Sequence, residues 1–155
     1  MRVTEKIIEA ALSEGDVGII KVEDFIEKFS SLQRSLWVYL QEELFPILTE
    51  KETTYFIFML FIIYSSIGNA GIELKEISIE AFQKCEESNW EIFNESKTKF
   101  FRDPLDTFFE NYKEEDLLAF IEDMLTLEDN DEITSIGIVP MFVASKSLVD
   151  VFIEA

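Results

Sequence analysis

Histidine is absent from this 155-residue chain, and cysteine occurs once, at Cys85. The first absence removes Ser–His and Cys–His nucleophilic pairs, imidazole-ligated zinc or haem, and the usual proton shuttle near neutral pH. The second removes a disulfide framework or a thiolate metal cluster within one chain. Five glycines and three prolines are too few for a fibrous, low-complexity or loop-dominated β protein. Basic residues are scarce too: 13 Lys and Arg stand against 32 Asp and Glu, a net charge of −19. A phosphate backbone needs clustered cations, so nucleic acid is not an expected partner. What is present is apolar: 48% of residues, with 29% charged, the balance of a chain that folds. The length suits one domain over residues 1–155, and neither a linker nor an internal repeat divides it.

Helical periodicity runs through most of the chain. Ile7, Ile8, Ala11 and Leu12 form a stripe after Thr4, and Gly15 and Gly18 bracket a turn. Val22, Phe25, Ile26, Phe29, Leu32, Leu36, Tyr39, Leu40 and Leu44 recur at three- and four-residue steps, which predicts one helix over Val22–Phe45, ended by Pro46. Thr49-Glu50-Lys51-Glu52 fits a capping box. The helix it opens is apolar nearly all round, as a central helix over about 54–67 must be. Ser78 can cap the next helix, with Phe82, Cys85, Asn89 and Phe93 as its buried stripe, and Cys85 reads as a core residue. Asp103-Pro104 reads as a cap followed by proline at the first helical position, with Leu105, Phe108, Phe109 and Tyr112 behind it. Leu117, Leu118, Ile121, Met124 and Leu125 mark a further helix. The last one starts near Pro140 with Met141, Phe142, Ser145, Leu148, Val149 and Phe152 on one stripe. Val17–Lys21 and Ile133–Val139 are β-branched runs beside glycine that suit short extended pieces. The expected fold is all-α, an irregular bundle of six to seven helices around the central helix.

No charged residue occurs from Thr53 to Ile72. The helical part that ends before Gly68 would be only about 20 Å long, against roughly 30 Å of hydrocarbon. A buried core helix is therefore expected, with no membrane partner. The N-terminal segment MRVTEKIIEAALSEG carries charges among its apolar positions and no cleavage site, so a cytoplasmic protein is expected.

The acids are unevenly placed. Asp103 to Glu132 holds twelve acids and one base, Lys113. Asp106, Glu110 and Glu114 are spaced as a helical row, and so are Glu87, Glu91 and Glu95. The basic–aromatic cluster Lys97, Lys99, Phe100, Phe101 and Arg102 reads as a structural connection. Without histidine, catalysis would rest on carboxylates with Mg²⁺ or Mn²⁺. Five acidic pairs lie three apart, no more than random placement of 32 acids gives, and none sits in an apolar run. Glu42-Glu43 flanks the core stripe of the second helix without an obvious partner. The run Glu128–Glu132 fails the EF-hand pattern, which puts Thr134 and Pro140 where glycine and glutamate are required. Trp37 and Trp90 lie near helical stripes and read as packing residues.

The expectation is therefore a non-enzymatic interaction module, of the inhibitor or immunity type, with no cofactor and no metal. Asp106, Glu110, Glu114, Glu115, Glu122 and Asp123 would form the face that docks on a basic protein partner. The alternatives are a carboxylate–metal hydrolase of nucleotides or phosphoesters, and a helical adaptor for a peptide or small apolar ligand.

Overall fold

The computed structural model describes residues 2–15, 19–96, 101–126 and 133–154. Residues 16–18 of the first turn, Lys97, Lys99 and Phe100 of the basic cluster, and the acidic run Glu128–Glu132 lie outside the described residues. Among the described residues there are eight α-helices and no strand. They are α1 (Glu5–Gly15), α2 (Ile19–Leu32), α3 (Arg34–Tyr39), α4 (Glu50–Asn69), α5 (Ile79–Glu95), α6 (Leu105–Phe109), α7 (Glu115–Leu125) and α8 (Ile138–Glu154). The chain is an all-helical bundle. No helix among the described residues is long and apolar enough to cross a membrane.

The eighth helix arises because the helix expected over Val22–Phe45 breaks at Gln33, whose backbone sits at φ −109°, ψ 49°. Gln33 is fully buried. Its Nε2 donates to the Lys75 carbonyl at 2.6 Å, and its Oε1 accepts from the Ile77 N–H at 2.9 Å. One buried amide thus satisfies both backbone groups of the extended segment after α4, as a sheet neighbour would. Past Tyr39 the helix loosens into a π turn (Leu40–Leu44) and a 3₁₀ turn (Phe45–Ile47). Pro46 cannot donate to the turn behind it, which is why regular α geometry stops there.

Both ends of α4 are explained by local chemistry. Thr49 Oγ1 accepts from the Glu52 N–H at 3.1 Å, and Glu52 Oε1 accepts from the Thr49 N–H at 2.9 Å, completing the capping box. At the far end Gly71 takes φ 88°, and Gly71 N bonds Gly68 O while Ile72 N bonds Ile67 O. That is a Schellman motif, and it lets α4 run two residues beyond Ile67. Phe56, Met59–Tyr64 and Ile67 are buried, and α4 packs against α1, α2, α7 and α8.

The last helix departs from the single stripe expected of it. Every residue from Met141 to Phe152 is buried, so α8 is enclosed on all sides. Lys146, Ser147 and Asp150 are tolerated there because Asn89 of α5 and Tyr112 supply partners. Lys146 Nζ donates to Asp150 Oδ2 at 2.8 Å and to Asn89 Oδ1 at 3.0 Å. Asn89 Nδ2 donates to Ser147 Oγ and Asp150 Oδ2, and Tyr112 OH donates to Asp150 Oδ1 at 2.6 Å. The ammonium also lies 4.5 Å from the centre of the Tyr112 ring.

Three local expectations are corrected. Asp103 does not cap α6; Pro104 occupies the cap position, and α6 has no side-chain cap hydrogen bond. Ile133–Val139 is not extended: it turns at 135–137, and α8 begins at Ile138, placing Pro140 in a first turn that needs no donor there. Ile19–Lys21, the described end of the other β-branched run, is already helical in α2. The turn before α8 is fixed by Glu52, whose Oε2 accepts from the Thr134 N–H at 3.0 Å and from its hydroxyl at 3.1 Å. A Cβ on Gly137 would lie 2.1 Å from that oxygen, so only glycine fits.

Candidate interaction surfaces

The six acids expected on one face separate into two groups. Asp106 and Glu110 are exposed, but α6 ends at Phe109 and Glu110 is its C-cap. Asn111 then takes φ 56° and turns the chain, so Asp106, Glu110 and Glu114 do not form one helical row. Glu114 is buried at the N-terminus of α7, where its Oε2 accepts from the Val3 N–H at 2.9 Å. Glu115 pairs with Arg2 at 2.6 Å, and Asp116 accepts from the Glu5 N–H at 3.2 Å. These three consecutive acids hold the N-terminal segment onto α7 and also suit that helix's positive end.

The other acids converge. Burial raises the Glu122 carboxyl above its ordinary range, and the charges of Asp123 and Asp106 raise it further against the opposing pull of Arg102. Asp123 also lines a furrow of about 300 Å³ between α1 and α7, together with Glu5, Glu9 and Asp116. Its floor is apolar: Ile8, Leu12, Ala119 and Phe120. Four carboxylates line it, of which Asp116 lies 3.7 Å from Arg2, and no lysine or arginine is among its described lining residues. Glu87, Glu91 and Glu95 remain a true i, i+4 row, exposed along α5.

A second groove, of about 370 Å³, was not anticipated from the sequence. One wall is Tyr39, Glu43, Leu44 and Ile47; the other is Gln83, Glu86, Glu87 and Trp90 on α5; Pro140 closes an end. The π turn after α3 brings Glu43 round to face α5, which supplies Glu86 as the partner that Glu42-Glu43 lacked. Tyr39 OH donates to Glu86 Oε1 at 2.5 Å. Burial and then the Glu43 charge push the Glu86 carboxyl up, while the Tyr39 hydrogen bond pulls it down. Burial, with Glu86 beside it, also raises the Tyr39 phenol. Trp90 is 36% exposed and Ile47 51% exposed. Trp37, by contrast, packs edge-on against Phe29 and Phe45.

Cys85 is partly buried against the core, and Phe101 of the basic–aromatic cluster packs between Phe93 and Phe142. Among the described residues, no three Asp, Glu or Cys side chains are grouped so as to hold a metal ion. The chain matches no protein-family model, no curated protein and no solved structure.

Proposed function

We propose that this protein is a non-enzymatic interaction module that docks an acidic surface onto a basic protein partner. The observation that carries the reading is the furrow between α1 and α7, where Glu5, Glu9 and Asp123 line an apolar floor beside the Arg2-paired Asp116, with no lysine or arginine among its described lining residues. Asp106 and Glu122 extend the negative field from it. Apart from the contacts of Arg2, the ion pairs among the described residues are Lys75–Glu73 and the buried Lys146–Asp150. Glu5, Glu9 and Asp123 thus pair with no cation among the described residues, and can meet one from outside. An acidic, rigid helical surface suits occupying a positively charged cleft, the task of an inhibitor or immunity protein. Complementarity of this kind mainly accelerates association and weakens with salt.

The test leaves the Glu114–Asp116 contacts untouched. Immobilised wild-type protein and a Glu9→Lys/Asp106→Lys/Asp123→Lys variant are exposed to lysate of the source cells, and association rates of recovered partners are measured at two salt concentrations. The reading expects a basic partner whose association slows at high salt and slows strongly for the variant. An acidic partner, or equal rates for both proteins, refutes it.

A further inference from the structure

We propose that the groove between the π turn and α5 receives an arginine side chain from a basic protein partner, held between Glu43 and Glu86 with Trp90 as its stacking face. This site is separate from the α1–α7 furrow, and either reading can fail without the other.

The sign of the ligand follows from the lining. Glu43, Glu86 and Glu87 contribute three carboxylates and Gln83 a neutral amide, and no lysine or arginine is among the described lining residues. None of the three forms an ion pair with a described cation. Glu86 is partly buried, and its oxygen Oε1 is fixed by the Tyr39 hydroxyl. A desolvated carboxylate facing a second one is unfavourable in the free protein, as the raised Glu86 carboxyl records. A cation between them removes that cost.

The shape of the ligand follows from the rest of the wall. Five large apolar side chains are exposed among the described residues, and two of them, Ile47 and Trp90, line this one groove. A small hydrated cation has no use for them. Guanidinium is planar, weakly hydrated, able to donate to two carboxylates at once, and able to stack on an indole. Its methylene stem, and apolar neighbours in the partner, fit against Leu44, Ile47 and Pro140. The volume, near the lower end of the roughly 300–1,000 Å³ of ligand pockets, suits one or two side chains rather than a helix. Arginine is also among the residues that most often dominate protein interfaces.

The experiment follows the two indole N–H signals by NMR at physiological ionic strength. The probes are capped Gly-Leu-Arg-Leu-Gly and the same peptide with lysine or glutamine in place of arginine. The expected result is a saturable shift of the Trp90 signal with the arginine peptide, weaker binding of the lysine peptide, and no binding of the glutamine peptide. Trp37, packed between Phe29 and Phe45, is the internal control and should not move. Glu86→Gln keeps an acceptor for Tyr39 while removing the charge. It should weaken arginine binding about tenfold and leave the melting temperature equal or higher, which loss of a structural contact would not do. Asp123→Lys, in the other furrow, should leave binding within about twofold, the modest effect of a screened distant charge. No saturable Trp90 shift at millimolar peptide, equal binding of the glutamine peptide, or equal losses for Glu86→Gln and Asp123→Lys would each overturn the assignment.

Discussion

Replacing Lys146 by methionine tests the account of α8 most directly. Lys146 and Asp150 are both buried, 2.8 Å apart, in the helix enclosed on all sides. Methionine has similar length and adapts its shape, so a cavity contributes little. The loss is electrostatic: Asp150 stays in the core without its counter-ion, and Asn89 Oδ1 loses its donor. Breaking one side of a buried pair costs about 3–5 kcal/mol. Tyr112 and Asn89 still donate to Asp150, which places this variant at the lower end, about 3 kcal/mol. For a chain of this size that is a fall of about 6–12 °C in Tm. Lys146→Met/Asp150→Leu removes the stranded charge as well. It should be more stable than the single variant and within about 2 kcal/mol of wild type, because Asn89 retains Ser147 and the partly exposed Tyr112 can reach water. Urea unfolding followed by circular dichroism gives both values, with unchanged m-values confirming a common unfolded state. A single-variant cost below about 1 kcal/mol, or strictly additive effects of the two substitutions, would show that the pair is not a desolvated ionic unit.

Gly137→Ala forces a Cβ to 2.1 Å from a Glu52 oxygen already engaged by Thr134, and should lower stability by about 2–4 kcal/mol in thermal melts. Burial raises the Glu52 carboxyl, but hydrogen bonds from Thr49 and Thr134 outweigh it and hold it below the ordinary carboxylate range. A depressed folded pKa gives stability that is present above the unfolded value and lost as pH falls through the folded one. The stability advantage of wild type over Glu52→Gln should therefore be constant near neutrality and shrink as pH falls below about 4.5 in pH-resolved denaturation. Glu114→Ala strands the buried Val3 N–H, costing about 1–3 kcal/mol, and should speed amide exchange at Val3 and Glu5 before the rest of the chain. Ser145→Ala removes a buried hydroxyl that has no hydrogen-bond partner among the described residues, and should stabilise by about 1 kcal/mol in the same denaturation assay.

Which features the sequence revealed follows the reach of the interactions that make them. The Thr49 capping box, the Ser78 cap and the stripe Phe82, Cys85, Asn89 and Phe93 depend on residues three or four apart, and the structure shows each where the spacing puts it. Gln33 looks like an ordinary surface position inside a helical pattern. It breaks the helix because Lys75 and Ile77, more than forty residues away, offer it a carbonyl and an N–H. The enclosure of α8 was hidden for the same reason. Lys146 and Asp150 lie off the apolar stripe Met141, Phe142, Ser145, Leu148, Val149 and Phe152, and Asn89 and Tyr112 arrive from other elements to satisfy them.

The acidic residues carry this argument furthest. Charge counting finds the dense stretch after Asp103, but it weighs every carboxylate equally. The fold sorts them by what each one touches: Glu114, Glu115 and Asp116 are consumed in holding Arg2, Val3 and Glu5, while Asp123 is left facing outward with Glu5 and Glu9. Glu43 and Glu86 belong to no dense run and stand forty-three residues apart, yet the π turn before Pro46 sets them on opposite walls of one groove. A carboxylate that folding pairs with backbone or arginine has its field largely spent inside the molecule. One that folding leaves half-buried beside a second carboxylate, with a tryptophan exposed next to it, keeps its field for something outside.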